Sequence, residues 1–374
     1  MRIAVVQSFY STGLPSGENR VVEDQVEALL EAGHEVLLVR QDTDDLQGAL
    51  YPLRTAVNLA LGTGFDPTPQ LKAFVPDVVH VHNIFPNIST RWLSTWDGPI
   101  VASLHNYRLS CSNGLFFRDG EVCTDCVDRG TTSAIRHGCY RNSRLATLPV
   151  ALSRTRTREH FAKVSAVVTT SELSDEVVHR YIDGSLRTVV IPNFGNRSAV
   201  AVEPVSESAT WIAAGRLSPE KGFVELVEDW PFDESLLIVG DGPERLNVQR
   251  AADGRSVEVR PSVERAEFRS LLTICQGLVF PSRWFEADPQ VVVEAMSLGV
   301  PVVAFHVNAV APIVLGSGAG AVYSSGDELI GALTSVRENR DAMSEAALEE
   351  FARRWAKELW LERMTNLYEQ VSRE

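Results

Sequence analysis

Short runs of β-branched and aliphatic residues alternate with longer amphipathic stretches from one end of this 374-residue chain to the other. That alternation constrains the fold more than any other feature. "RIAVVQSF" (residues 2–9) precedes "NRVVEDQVEALLEAG" (19–33), whose Val22, Val26, Leu29 and Leu30 recur at helical spacing, and Gly33 ends the helix before the run "HEVLLVR". "DVVHVH", "IVASLH", "AVVTT" and "TVVIPN" continue the series, and a second series runs through "WIAAGR", "SLLIVGDG", "VEVR", "GLVFPS" and "PVVAF". Apolar runs this continuous belong to strands buried on both faces, and strand–helix alternation makes those strands parallel. The expected fold class is therefore α/β, with two Rossmann-like domains.

The length allows two hydrophobic cores. The seam is expected near 192–209, "PNFGNRSAVAVEPVSESA", which is rich in Pro, Ser, Gly and Asn and has no helical period. This gives a first domain at 1–192 with an insertion at 106–142, a second at 193–345, and a C-terminal helical segment at 346–374. One helix is expected from about Asp341 to Val371. Ligands of such domains sit at the carboxyl ends of the strands. No apolar run approaches the roughly 20 residues that span a bilayer. "MRIAVVQSF" lacks the long apolar region and cleavage site of a signal peptide, so the expected compartment is the cytoplasm, where stable disulfides are rare. A net charge of −14 argues against a general nucleic-acid binder.

The stretch "FPSRWFEADPQVVVEAMSLGVPVVAF" (280–305) carries the most chemistry. Asp288 followed by Pro289 is a helix start, with Asp as N-cap and Pro at the first position, and Gly299 ends the helix. Glu286 then precedes a helix N-terminus and Glu294 lies in the second turn. Exposed N–H groups at such an end suit a diphosphate, and carboxylates accept hydrogen bonds from sugar hydroxyls. The plainer alternative is two solvated acids favoured by the helix dipole. "GRLSPEKG" (215–222) offers Arg216 and Lys221 as phosphate partners, or else a solvated basic pair. "SGEN" places Gly17 after the first strand. "SLHNY" places His105 at a strand end, where a lone histidine is more often structural than catalytic.

Together "PSGENRVVEDQVEALLEAGHEV", "PDVVHVHNIFP", "TTSELSDEVV", "VVIPN", "GRLSPEKG", "LLIVGDGPE" and the 280–305 stretch resemble the retaining glycosyltransferases of family 4, in the family's order and over nearly the whole chain. The resemblance implies the GT-B fold and a nucleotide-diphosphate sugar donor. It implies that Glu286, the first acid of an E-x7-E pair, lies beside the transferred sugar near O3 and O4, and that Glu294 holds the ribose. Arg216 and Lys221 would neutralise the leaving diphosphate, His105 would face the sugar, and the Ser16–Gly17 loop would lie near diphosphate and acceptor. Ser282, Asp288, Gln290 and Val291, around the two acids, complete the implied donor site. Two departures stand out: Ser16-Gly17 replaces the family's frequent Gly-Gly, and Arg260-Pro261 replaces its usual Gly after "VEVR". The family implies no catalytic divalent metal. The rivals are a nucleotide-sugar epimerase of the same fold, which would need no acceptor, and a non-catalytic binding module.

That last rival would be built on Cys111, Cys123, Cys126 and Cys139, spaced C-x11-C-x2-C-x12-C. Four soft ligands with a tight central knuckle, in a polar segment unable to build its own core, are expected to hold a structural zinc. His137 is a substitute ligand and metal-free thiols are the alternative. Some members of the resembled family carry a similar insertion. Beyond it, from Arg129 to Lys163, eight Lys/Arg face one acid, Glu159. A glycan or lipid-linked acceptor at an anionic membrane would suit that basic segment, through peripheral contact. The alternative is a solvated amphipathic helix with its arginines outward.

Overall fold

The computed structural model describes residues 1–11, 17–196, 206 and 209–374. The apolar runs become strands as their composition requires. β1 (Arg2–Phe9) buries every residue after Arg2 and pairs in parallel with β2 (Glu35–Asp42) on one side and β3 (Val78–Val81) on the other. β4 (Ile100–Leu104) follows, then a small antiparallel hairpin of β5 (Phe117–Arg118) and β6 (Glu121–Val122), then β7 (Ala166–Thr169) and β8 (Thr188–Val190). The first six-stranded sheet has the order β2-β1-β3-β4-β7-β8, all parallel. The Gly17–Glu31 helix packs Val21, Val22, Gln25, Ala28 and Leu29 inward. Leu30, expected on that stripe, is exposed, because the buried face is turned one residue toward Val21 and Ala28.

The second sheet is built alike. β9 (Trp211–Ala214), β10 (Leu236–Val239), β11 (Val257–Arg260), β12 (Leu278–Phe280), β13 (Val302–Phe305) and β14 (Gly320–Tyr323) stand in the order β11-β10-β9-β12-β13-β14. Two apolar clusters cover its faces, one around Val292, Met296 and Trp355, the other around Trp211, Phe223 and Trp230.

The chain divides into two compact units: Met1–Phe116 with Cys123–Ile191 and Trp360–Glu374, and Phe117–Val122 with Pro192–Leu359. The C-terminal segment is two helices, Arg340–Arg354 and Lys357–Val371, not the single helix expected. Trp355 and Ala356 interrupt it: the Trp355 carbonyl accepts from Gly195 N at 3.0 Å, and Ala356 forms a bridge with Gly195. Tertiary partners for the backbone here replace helical ones. Further along, Tyr368 OH bonds His80 Nδ1 at 2.6 Å within the first unit. Among the described residues no helix is long and apolar enough to cross a membrane.

Candidate active site

Each sheet reverses its strand order beside its first strand, and that reversal opens a crevice at the carboxyl ends. In the second unit the chain leaves β9 for β10 but returns to β12 on the other side. The loops after β9 and β12 therefore meet, and these are 215–222 and 281–289. Gly222 lets them touch: its φ is +69°, and a Cβ there would sit 2.4 Å from the Pro281 carbonyl oxygen. Arg283 N donates to the Glu220 carbonyl at 2.9 Å.

Three of the expected residues gather at this junction. Lys221 Nζ donates to Glu286 Oε1, and Ser282 Oγ donates to Glu286 Oε2 at 2.5 Å. Both carboxylate oxygens are thereby oriented from two loops, and the Lys221 ammonium also lies 5.7 Å from the centre of the Trp284 ring. Asn308, a residue the sequence reading did not single out, fixes the same loop by donating to the Ser282 carbonyl at 2.9 Å. Arg216 is exposed and pairs with no acid among the described residues.

The helix that follows runs Gln290–Ser297, with Pro289 as its N-cap and no side-chain cap. This corrects the expected cap at Asp288. The Asp288 carboxylate turns away from the helix, accepting from Asn193 N at 2.7 Å and from Trp355 Nε1 at 2.9 Å. Burial outweighs those two bonds and pushes its carboxyl up to about 7. Gln290 Nε2 is buried with no partner among the described residues. Glu294 is buried in the second turn, where Arg265 Nε meets its Oε1 at 2.5 Å. Arg265 was missed in the sequence. It opens the Arg265–Thr273 helix, 29 positions upstream in a different element, and no local spacing links it to Glu294. Val291 is half-buried in the first turn.

The first unit has its own reversal, with β1 between β2 and β3. An open pocket lies there, lined by Glu18, His82, Asn83, His105, Arg108 and Arg154 among polar groups and by Leu59, Phe85, Val150 and Phe161 among apolar ones. His105 Nε2 bonds His82 Nδ1 at 2.9 Å, and the two rings stack. Behind them His80 joins Ser103 Oγ at 2.8 Å and Tyr368 OH. Burial keeps all three histidines neutral, lowering His105 to about 4 and His80 to about 3. The sequence reading placed His105 alone, and the structure gives it a partner. Gly17 is exposed, with open space where a Cβ would stand. Ser16 lies outside the described residues. Glu18, next to Gly17, receives a long bond from Gln7 Nε2 (3.4 Å), and desolvation pushes its carboxyl up to about 7.

The insertion carries four thiols, with Cys111 and Cys126 buried and Cys123 and Cys139 half-buried. Cys111 Sγ donates to Asn113 Oδ1 at 2.9 Å. Burial raises the Cys126 thiol pKa, and the nearby Cys111 and Cys123 thiols raise it further. The donor chemistry suits zinc, but the placement does not: among the described residues no group of three or more His, Cys, Asp or Glu side chains stands where it could hold a metal.

Comparison with known proteins agrees with this fold. Residues 15–196 match the family model described as Glycosyltransferase Family 4, and residues 199–355 match Glycosyl transferases group 1. Among solved structures, sucrose-phosphate synthase from Thermosynechococcus elongatus is similar at a TM-score of 0.70 and 15% identity, covering 99% of this chain and 98% of that one. HepE of Anabaena, solved in complex with UDP, gives 0.62 at 15% identity over 99% and 100%. The lipopolysaccharide outer core galactosyltransferase WaaB gives 0.60 at 16% identity over 98% of each chain. A search of curated protein sequences finds no match. The fold is GT-B, and the class that the matched models support is a nucleotide-sugar glycosyltransferase.

Proposed function

We propose that the protein is a retaining hexosyltransferase that moves a sugar from a nucleotide-diphosphate donor to a glycan or lipid-linked acceptor in polysaccharide or glycoconjugate biosynthesis. One observation carries the reading. At the β9/β12 crevice two acids, each already oriented by a cation, flank a helix N-terminus without a side-chain cap, beside Arg216 and Gln290 Nε2, which have no partner among the described residues. Glu286 accepts from sugar hydroxyls, Glu294 from the ribose, and Arg216 and Lys221 take up the charge of the departing diphosphate. Preorganised charges of this kind are usually the largest catalytic term. The bond from the sugar C1 to the diphosphate breaks and a bond from the acceptor oxygen to C1 forms on the same face. The acceptor proton passes to the released phosphate oxygen. His105, held neutral, acts as a hydrogen-bond partner for a substrate hydroxyl.

No catalytic divalent metal belongs to this reading. A structural zinc at Cys111, Cys123, Cys126 and Cys139 is proposed separately, on thiol chemistry alone, and requires those side chains to gather on binding. A cytoplasmic location with peripheral membrane contact through 129–163 is likewise proposed.

The test is incubation with isotopically labelled nucleotide sugars, with and without a polyprenyl-diphosphate glycan acceptor. Transfer with retained anomeric configuration is expected only when acceptor is present. Conversion of the donor to another nucleotide sugar without acceptor would establish an epimerase instead.

A further inference from the structure

The basic segment is arranged opposite to an ordinary surface helix. In the Arg144–Phe161 helix three of the four arginines turn inward, and Arg144 is exposed. Arg154 donates to the Ser110 and Cys126 carbonyls, Arg156 to Ala60, and Arg158 to Ile182. Besides Arg144, Thr155 and Glu159, the side chains turned to solvent are leucines: Leu145 is 85% exposed, and Leu148 and Leu152 are exposed as well. They recur three and four residues apart and so form one stripe.

The neighbouring helix, Tyr51–Leu61, repeats the pattern. It packs against the Arg144–Phe161 helix and has no fully buried residue. Leu50 at its N-cap (73% exposed), Leu53, Val57 and Leu61 form a second exposed stripe, while Leu59, on the opposite side, lines the pocket. Scattered exposed leucines are normal, but two adjacent helices with apolar stripes facing water are not. Around the stripes stand exposed cations, Arg54, Arg136, Arg141 and Arg144, on a chain whose net charge is −14.

We propose that the exposed faces of the Tyr51–Leu61 and Arg144–Phe161 helices together form a docking surface for an anionic phospholipid bilayer, with the leucines entering the acyl boundary and the arginines meeting lipid phosphates. Charge complementarity decides the occupant. A cationic rim is attracted to anionic lipid, whereas two copies of the same face would bring like charges together. An apolar stripe with basic flanks is the ordinary chemistry of interfacial helices. Leu59, Val150, Ser153 and Thr157 of the same two helices line the first unit's pocket. A headgroup-linked acceptor would therefore meet that pocket from the membrane side. The surface extends the basic-segment reading given above, and its test needs no glycosyl transfer.

The experiment is flotation of the full chain with vesicles of phosphatidylcholine alone or with 30% phosphatidylglycerol, at low and high salt. Binding to the anionic vesicles is expected, weakened but not abolished by salt. The pair Leu53→Ser with Leu148→Ser should reduce partition at least tenfold with an unchanged melting temperature, since both side chains are already exposed. Arg141→Ala with Arg144→Ala should reduce it chiefly on anionic vesicles. Three results would overturn the proposal: no binding to anionic vesicles, binding indifferent to the leucine pair, or concentration-dependent dimers that Leu53→Ser dissolves.

Discussion

The Asp288 carboxyl gives the sharpest physical prediction. It is enclosed by Asn193 N and Trp355 Nε1, and burial holds it at about 7 against a reference of 3.8. Between those values the folded chain keeps a proton that the unfolded chain has released, so stability falls as pH rises through the window. One pKa unit corresponds to about 1.4 kcal/mol. From pH 5 to pH 7 this single group should therefore cost the fold about 2–3 kcal/mol. Other groups titrate in the same range, so the quantity to read is a difference. Urea denaturation of wild type and Asp288→Asn at pH 5, 6 and 7 isolates it, because the amide does not titrate. The wild type should lose about 2–3 kcal/mol relative to the variant over those two units. A flat difference would refute the argument that burial dominates the two hydrogen bonds.

The three buried neutral histidines act in the opposite sense. Their folded pKa values are depressed, so stability present above the unfolded value near 6.5 is lost as pH falls below it; separately, Tyr368→Phe, which frees His80 Nδ1, should lose about 1 kcal/mol by urea denaturation at neutral pH. Arg265→Ala leaves the buried Glu294 carboxylate without its ion pair. Thermal denaturation should show a loss of about 1–3 kcal/mol, below the range for fully buried pairs because Arg265 is partly exposed. Gly222→Ala drives a Cβ into the Pro281 carbonyl and should part the two loops. Lys221 would then separate from Glu286, and donor affinity should drop at least tenfold by calorimetry. If the four thiols gather as proposed, elemental analysis of purified protein should find about one zinc per chain, whose removal lowers the melting temperature. A zinc-free chain that is folded and active would end that proposal.

Most of the fold was legible because buried parallel strands write themselves as continuous apolar runs, and each quoted run became a strand. That Lys221 and Glu286 sit in loops directly after strands was legible too, whereas their contact depends on the strand order that brings those loops together. What the sequence hid was long-range. Arg265 reaches Glu294 from another helix, and His82 meets His105 from the next strand. Asp288 looked like an N-cap by local rules, but Trp355, 67 residues away, claims its carboxylate. The single C-terminal helix failed for a related reason, since Gly195 binds the backbone at its break. The arginine-rich helix was misleading in the same way. Its arginines serve carbonyls elsewhere in the unit, and that inversion is visible only when the partners are in place.

The central claim is that the β9/β12 crevice binds a nucleotide-diphosphate sugar. Isothermal titration of the purified chain with UDP-, GDP- and ADP-sugars tests it most directly. The account predicts saturable one-to-one binding of at least one of them, weakened at least tenfold by Arg216→Ala and by Glu294→Gln in folded variants. A folded wild type that binds no nucleotide sugar, or one whose binding ignores both substitutions, would contradict it.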